Sequence, residues 1–335
     1  MYSHLTATQF EITRATALPS PAAVSTEDLD HRWAVVLAGG DGTRLQGLTT
    51  KIAGDLRPKQ FCSILGQQSL LAQTRSRIDA LVDVDRQLFV VTRAHEQYFS
   101  EELRNVDDSN IIVQPCNRGT GAAIALAVLQ ILQRDRDAMV VIVPSDHYYS
   151  NTEALGRAVR SAVAGAGEYP NSLVLLGSQA DYAEVEYGWI EPGQVLNKTS
   201  AELSHVSRFW EKPSLSEARE LLRRGCLWNT FVTAGYADTF LDLFCSEVPN
   251  LILYLNQALA ERDLDAAYQK LSALDFSRGV LSRQPRRLLS VRDTDSGWAD
   301  LGSPTRVFDV LTRNNLQPAW WLNRPNIAVD LREFL

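Results

Sequence analysis

Five short apolar runs, at residues 33–38, 87–92, 111–114, 139–143 and 173–176, restrict the fold more than anything else in this chain. They are nearly continuous rather than alternating, which suits strands covered on both faces. Between them, residues 69–80 and 121–134 read as helices. The second is rich in Ala, Leu and Ile over about four turns and reads as buried. Strand and helix in alternation predict an α/β protein, a Rossmann-like layered fold with a mainly parallel sheet. At 335 residues the chain suffices for one large domain or two modest ones.

Past residue 180 the texture changes. Tyr187-Gly188-Trp189-Ile190-Glu191-Pro192-Gly193 is aromatic and turn-rich, and predicts a β-rich insertion flanking the sheet. Helical segments are expected at 215–224 and 239–262, and a late strand at 287–291. Residues 1–30, small and polar with Pro19 and Pro21, read as a flexible leader. Residues 320–335 are too few for another domain.

A net charge of −7 argues against a protein that grips nucleic acid by a broad basic surface, while leaving room for a small basic pocket. Cys62, Cys116, Cys226 and Cys245 form no Cys-x-x-Cys pair and read as reduced, mostly buried thiols. No stretch approaches the roughly 20 apolar residues that span a bilayer. The first 30 residues lack an apolar core behind a basic start, so the expected location is the cytoplasm.

The chemistry concentrates where the first run ends. Leu37 and Ala38 lead into Gly39-Gly40-Asp41-Gly42-Thr43-Arg44-Leu45, followed by Arg57-Pro58-Lys59-Gln60-Phe61. Glycines let loop N–H groups approach phosphate oxygens, and Arg and Lys supply the countercharge a triphosphate needs. The loop is not a dinucleotide fingerprint, since Leu45 stands where a third glycine belongs, and no Gly-Lys-Ser/Thr follows as in a Walker A loop. An ordinary strand-to-helix glycine turn is the plainer alternative, and Arg44 with Pro58-Lys59 speaks against it.

Ser145-Asp146-His147 ends the fourth run, where a carboxylate is well placed for Mg2+. A turn or helix-cap Asp is the alternative. His147 reads as a packed or hydrogen-bonded histidine. Asp300, in Trp298-Ala299-Asp300-Leu301-Gly302, is the candidate second carboxylate, although sequence alone does not bring it to Asp146. Glu211-Lys212-Pro213 follows an apolar-aromatic run and suits an acid and a base at a strand end, or a surface ion pair. Trp228-Asn229-Thr230 sets an amide beside an indole, as carbohydrate sites do, or a buried Trp with a helix cap.

Together these motifs resemble the sugar-1-phosphate nucleotidyltransferase family, and most closely its mannose-1-phosphate guanylyltransferase branch, over about residues 33–312. Pro58-Lys59-Gln60-Phe61 and Asn117-Arg118-Gly119-Thr120 are similar to the branch's nucleotide segments. Tyr187-Gly188-Trp189-Ile190, Glu211-Lys212-Pro213 and Trp228-Asn229 are similar to its sugar-phosphate motifs. The chain departs from the family pattern at Gly47, Gly121-Ala122 and Ala299, and near Ser277, where an Asp is common in relatives. The resemblance implies a nucleotidyltransferase domain at 31–312, with a nucleotide half at about 31–150 and a sugar-phosphate half, carrying the β-rich insertion, at about 151–312. A small C-terminal extension at 313–335 follows, without the cupin-like isomerase domain of long relatives.

What the resemblance implies chemically is Mg2+-dependent transfer from GTP to mannose 1-phosphate, giving GDP-mannose and pyrophosphate. Arg44 and Lys59 are the implied catalytic cations, and Asp146 and Asp300 the implied metal ligands. Leu37, Ala38, Gly39, Gly40, Gly42, Thr43, Asn117, Gly119, Thr120 and Ser145 would bind the nucleotide. Gly188, Glu211, Lys212 and Asn229 would bind the sugar phosphate. The expected partners are these two substrates, with a homo-oligomer allowed and neither nucleic acid nor membrane. Two alternatives stay open: the same chemistry on another hexose 1-phosphate or NTP, and a non-catalytic nucleotide-sugar-binding regulator. An NAD(P) oxidoreductase is disfavoured by the failed fingerprint.

Overall fold

The computed structural model describes residues 31–197 and 202–322. The leader at 1–30 and the end of the C-terminal extension lie outside the described residues.

The apolar runs become strands. In chain order they are β1 Arg32–Leu37, β2 Gln87–Thr92, β3 Ile111–Gln114, β4 Met139–Pro144, β5 His147–Tyr149, β6 Leu173–Gln179, β7 Gly188–Asn197, β8 Leu203–Glu211, β9 Leu227–Tyr236, β10 Leu288–Asp293 and β11 Trp298–Asp300. Nine form one sheet in the order β3-β2-β1-β4-β9-β6-β10-β8-β7. The β3, β2, β1 and β4 ladders are parallel, as is β10 with β6, while β9 and β8 run against their neighbours.

The continuous apolar pattern has a simple cause. Trp33 and Val35 of β1 enter a core roofed by the helix Gly119–Arg134, while Ala34 and Val36 enter another beneath the helix Leu70–Ile78. Helices cover both faces, so both side-chain parities must be apolar. Ten positions of the helix Gly119–Arg134 are buried, seated on β1 and β2 and against the helices Ala237–Glu247 and Pro249–Glu261.

Two expectations are corrected. The helical segment expected at 239–262 is two helices, because Pro249 lacks an N–H and restarts the chain as the first residue of a new helix after Val248. The β-rich insertion does not stand beside the sheet. Its β7–β8 hairpin extends the sheet itself, through β10 and a short pairing of β7 with β9. Cys62 and Cys226 are buried, Cys116 is half-buried and Cys245 is exposed, all as free thiols. Among the described residues, no helix is long and apolar enough to cross a membrane.

Candidate active site

A cavity of about 800 Å3 lies beyond the carboxyl ends of β1 to β4 and runs onto the β7–β9 side of the sheet. Open α/β sheets place ligands there, and the size suits a nucleotide-scale ligand. One end is the glycine loop. Gly42 takes a left-handed φ of 62°, with the backbone of Pro58 and Lys59 packed against it. The buried Gln60 amide donates to Ala38 O at 2.9 Å and Gly40 O at 2.8 Å, and Thr92 Oγ1 donates to Gly39 O at 2.9 Å. These bonds consume loop carbonyls. An adjoining recess of about 220 Å3 is lined by Gly40, Gly42, Thr43, Arg44, Lys59 and Asp146, among others.

The two carboxylates meet through a ladder that the sequence does not announce. β11 pairs antiparallel with β5 in the register Trp298↔Tyr149, Ala299↔Tyr148, Asp300↔His147. Asp300 therefore arrives opposite the residue that follows Asp146. Lys59 Nζ stands 3.2 Å from Asp146 Oδ2 and 3.5 Å from Asp300 Oδ1. Burial alone would favour loss of the Lys59 proton, but the two aspartates outweigh it and hold the ammonium above the usual lysine range. Burial likewise opposes ionisation of Asp300. Lys59, His147, Arg306 and Arg44 overcome it and hold the carboxyl below its usual range.

His147 is structural, as expected. Its Nδ1 accepts from Trp298 Nε1 at 3.0 Å. An indole N–H only donates, so the imidazole proton sits on Nε2, which lies 3.8 Å from Asp146 and 3.9 Å from Asp300. Burial pushes the ring below its ordinary pKa.

The opposite rim is the amino end of the helix Gly119–Arg134. Asn117 Nδ2 donates to Asp41 Oδ2 at 3.0 Å and its Oδ1 accepts from Gly119 N at 2.9 Å, which ties this rim to the glycine loop. Gly119 has a φ of 82°, and a Cβ there would overlap the Leu274 carbonyl. Thr120 Oγ1 accepts from Phe276 N at 3.0 Å, and Gly121 N donates to Leu274 O at 2.8 Å. Residues 273–279 are thus fastened across the helix start, and Leu274, Asp275, Ser277 and Arg278 line the cavity.

Toward β7–β9, Gly188 pairs with Glu211 in the β7–β8 ladder, and both line the cavity with Asn229 of β9. Burial, then the charge of Asp275, pushes the Glu211 carboxyl up to about 7, against the opposing pull of Lys212 and Arg278. Phe231, also on the wall, holds a φ of 68°, a costly conformation for an aromatic residue.

The cavity gathers Leu37, Gly39, Gly40, Arg44, Lys59, Asn117, Gly119, Thr120, Ser145, Asp146, Gly188, Glu211, Asn229 and Asp300. Gly42 and Thr43 reach the adjoining recess instead. Ala38 is buried behind the loop, and the exposed Lys212, at a φ of 51°, is off the cavity wall beside Glu211. Tyr187, named in a sugar-phosphate motif, lines the cavity too, whereas Glu186, Asp275 and Arg278 were missed as lining residues. Asp275 supplies a carboxylate two positions before Ser277. Arg278 carried no motif signal.

No cluster of three or more metal-ligating side chains occurs among the described residues. Two converging carboxylates beside a recess lined by glycine backbone, Arg44 and Lys59 nevertheless fit Mg2+, which prefers one or two carboxylates with waters and phosphate oxygens as its other ligands.

Known proteins resemble this chain in sequence and fold. The chain is 30% identical over 294 residues to the mannose-1-phosphate guanylyltransferase ManC of Salmonella typhimurium (strain LT2), covering 82% of this chain and 58% of that protein. It is 29% identical over 312 residues to a mannose-1-phosphate guanylyltransferase of Sinorhizobium fredii, covering 90% and 58%. The chain thus spans under two thirds of the length of these curated relatives. A solved structure described as mannose-1-phosphate geranyltransferase from Thermus thermophilus superposes with a TM-score of 0.74 at 29% identity, over 86% of this chain and 80% of that one. The profile of the nucleotidyl transferase family matches residues 33–315, and the chain belongs to that family.

Proposed function

We propose that this chain joins GTP and mannose 1-phosphate into GDP-mannose, releasing pyrophosphate, in the cytoplasm. The observation that carries the reading is the β5–β11 register, which sets Asp300 beside Asp146 and Lys59 next to the glycine loop. The choice of guanine and mannose rests on the likeness to proteins named for that activity.

A phosphate oxygen of mannose 1-phosphate attacks the α-phosphorus of GTP. The new P–O bond forms as the bond to the β-phosphate oxygen breaks, and its electron pair leaves with pyrophosphate. The nucleophile is already anionic, so no general base is needed, and positioning with charge neutralisation supplies the rate. Arg44 holds the β- and γ-phosphates, and Lys59 meets the α-phosphate. Asp146 and Asp300 are the residues that would hold Mg2+, which would supply charge neutralisation to the phosphates when bound. Glu211, Asn229 and the Gly188 backbone read sugar hydroxyls, while Lys212, off the cavity wall, is given no part in holding the sugar phosphate.

The test is pyrophosphate release with Mg2+ across four NTPs and a panel of hexose 1-phosphates. Release confined to GTP with mannose 1-phosphate establishes the reading. Release with another pair keeps the chemistry and overturns the specificity. Nucleotide-sugar binding without release from any pair points to a regulator.

A further inference from the structure

Arg306 belongs to no motif, yet it is buried beside the cavity and engaged on three sides. It lies in the first turn of the helix Pro304–Arg313, the end where a cation opposes the helix dipole. Helix stability therefore does not account for it. Its Nη1 donates to Asp300 Oδ2 at 2.8 Å, and its Nη2 pairs with Glu184 Oε2 at 2.7 Å. The guanidinium carbon lies 4.4 Å from the centre of the Tyr187 ring. All three charged side chains are at most 15% exposed. A Cβ at Gly302 would come within 2.6 Å of Asp300 Oδ2 and 2.8 Å of Arg306 Nη1, so the turn between the two residues is bare where the guanidinium reaches back.

Asp300 is consequently held from both sides, by Arg306 on Oδ2 and by Lys59 on Oδ1. Glu184 and Tyr187 belong to the segment that runs into Gly188 on the sugar side. We propose that Arg306 is a positioning residue that fixes the Asp300 carboxylate and the 184–188 wall as one unit, so that the phosphate end and the sugar end of the cavity are set together. The inference rests on the function proposed above. A planar fork that grips two carboxylates and stacks on a ring is a task for Arg and not for Lys. The fixed positive charge would also weaken the binding of a divalent cation at Asp300.

The test uses R306M and R306K in the full chain. The first readout needs neither substrate nor metal: amide hydrogen exchange of residues 184–188 in the unliganded protein. It is expected to quicken about tenfold in R306M and by an intermediate amount in R306K. The second is Mn2+ binding, read by electron paramagnetic resonance, which should tighten several-fold in R306M because a like charge is gone. The third is turnover, with kcat falling about tenfold or more while KM for the nucleotide stays within about threefold. Tighter metal with slower turnover is a pairing that general damage to the site does not produce. Unchanged exchange at 184–188, unchanged kcat, or Mn2+ affinity that does not rise would each overturn the proposal. If R306M does not fold, E184Q must quicken exchange at 184–188 while leaving Mn2+ affinity unchanged, and failure to do so overturns it equally. If the wild-type chain forms no nucleotide sugar, the functional reading falls, while exchange and Mn2+ binding still decide the role of Arg306.

Discussion

Lys59 Nζ stands 3.2 Å from Asp146 Oδ2, and this contact neutralises a carboxylate at the mouth of the phosphate recess. Removing the cation leaves Asp146 without its lysine partner and Asp300 with Arg306 alone. K59M is expected to lower kcat by about 10²-fold or more, the usual loss when one electrostatic stabiliser goes. It should also cost about 3 kcal/mol of stability, as for other broken buried ion pairs. Steady-state pyrophosphate release and urea unfolding check both, and K59M/D146N should recover part of the stability but none of the activity.

Arg44 is held by Glu186 at 3.2 Å in an exposed pair. Such pairs add little stability, so E186Q should leave the melting temperature within about 2 °C. It should release Arg44 for phosphate and lower KM for the nucleotide two- to fivefold, roughly the scale of one exposed ion pair. An unchanged or raised KM would place Arg44 away from the triphosphate.

Glu211 titrates near 7 in the folded protein, above its ordinary 4.5. The folded state therefore binds this proton more tightly than the unfolded state does. Its contribution to stability is fully present below the unfolded pKa and is lost as pH rises through about 7. Thermal melts of wild type and E211Q between pH 5 and 8 should diverge, with wild type losing more on the alkaline side. Parallel curves would mean that Glu211 is ionised throughout.

Gly119 combines a φ of 82° with a carbonyl pressed against its α-carbon. G119A meets backbone rather than a movable side chain, so about 1–3 kcal/mol of stability should go, with nucleotide affinity falling as the 273–279 strap shifts. Unfolding curves and nucleotide titration read the two effects. G47A, where a Cβ meets open space, serves as the control.

The early strands were legible because burial on both faces leaves an apolar signature in the sequence itself, and the glycine loop because its backbone demands glycine. Pro249 was equally visible, and weighing it would have divided the segment at 239–262. The convergence of Asp146 and Asp300 was not legible, since it depends on a three-residue ladder between distant segments. Arg278 and Arg306 were hidden for another reason. In a chain whose 33 basic residues are nearly all Arg, a single Arg carries no signal until its neighbours are known. The 273–279 strap was obscured because its tie to the helix start runs largely through backbone atoms, which any residues supply.

The reversed strand β9 is hydrogen-bonded to β4 on one edge and to β6 on the other, and it also carries Asn229. The strands below the glycine loop and those that carry Gly188 and Glu211 are therefore planks of one deck. On the function proposed above, a nucleoside triphosphate would enter, and pyrophosphate would leave, past the rim of the cavity. Any change that admits a substrate or frees a product then falls to the glycine loop, the 184–188 wall and the 273–279 strap, which border the cavity, rather than to the hydrogen-bonded floor.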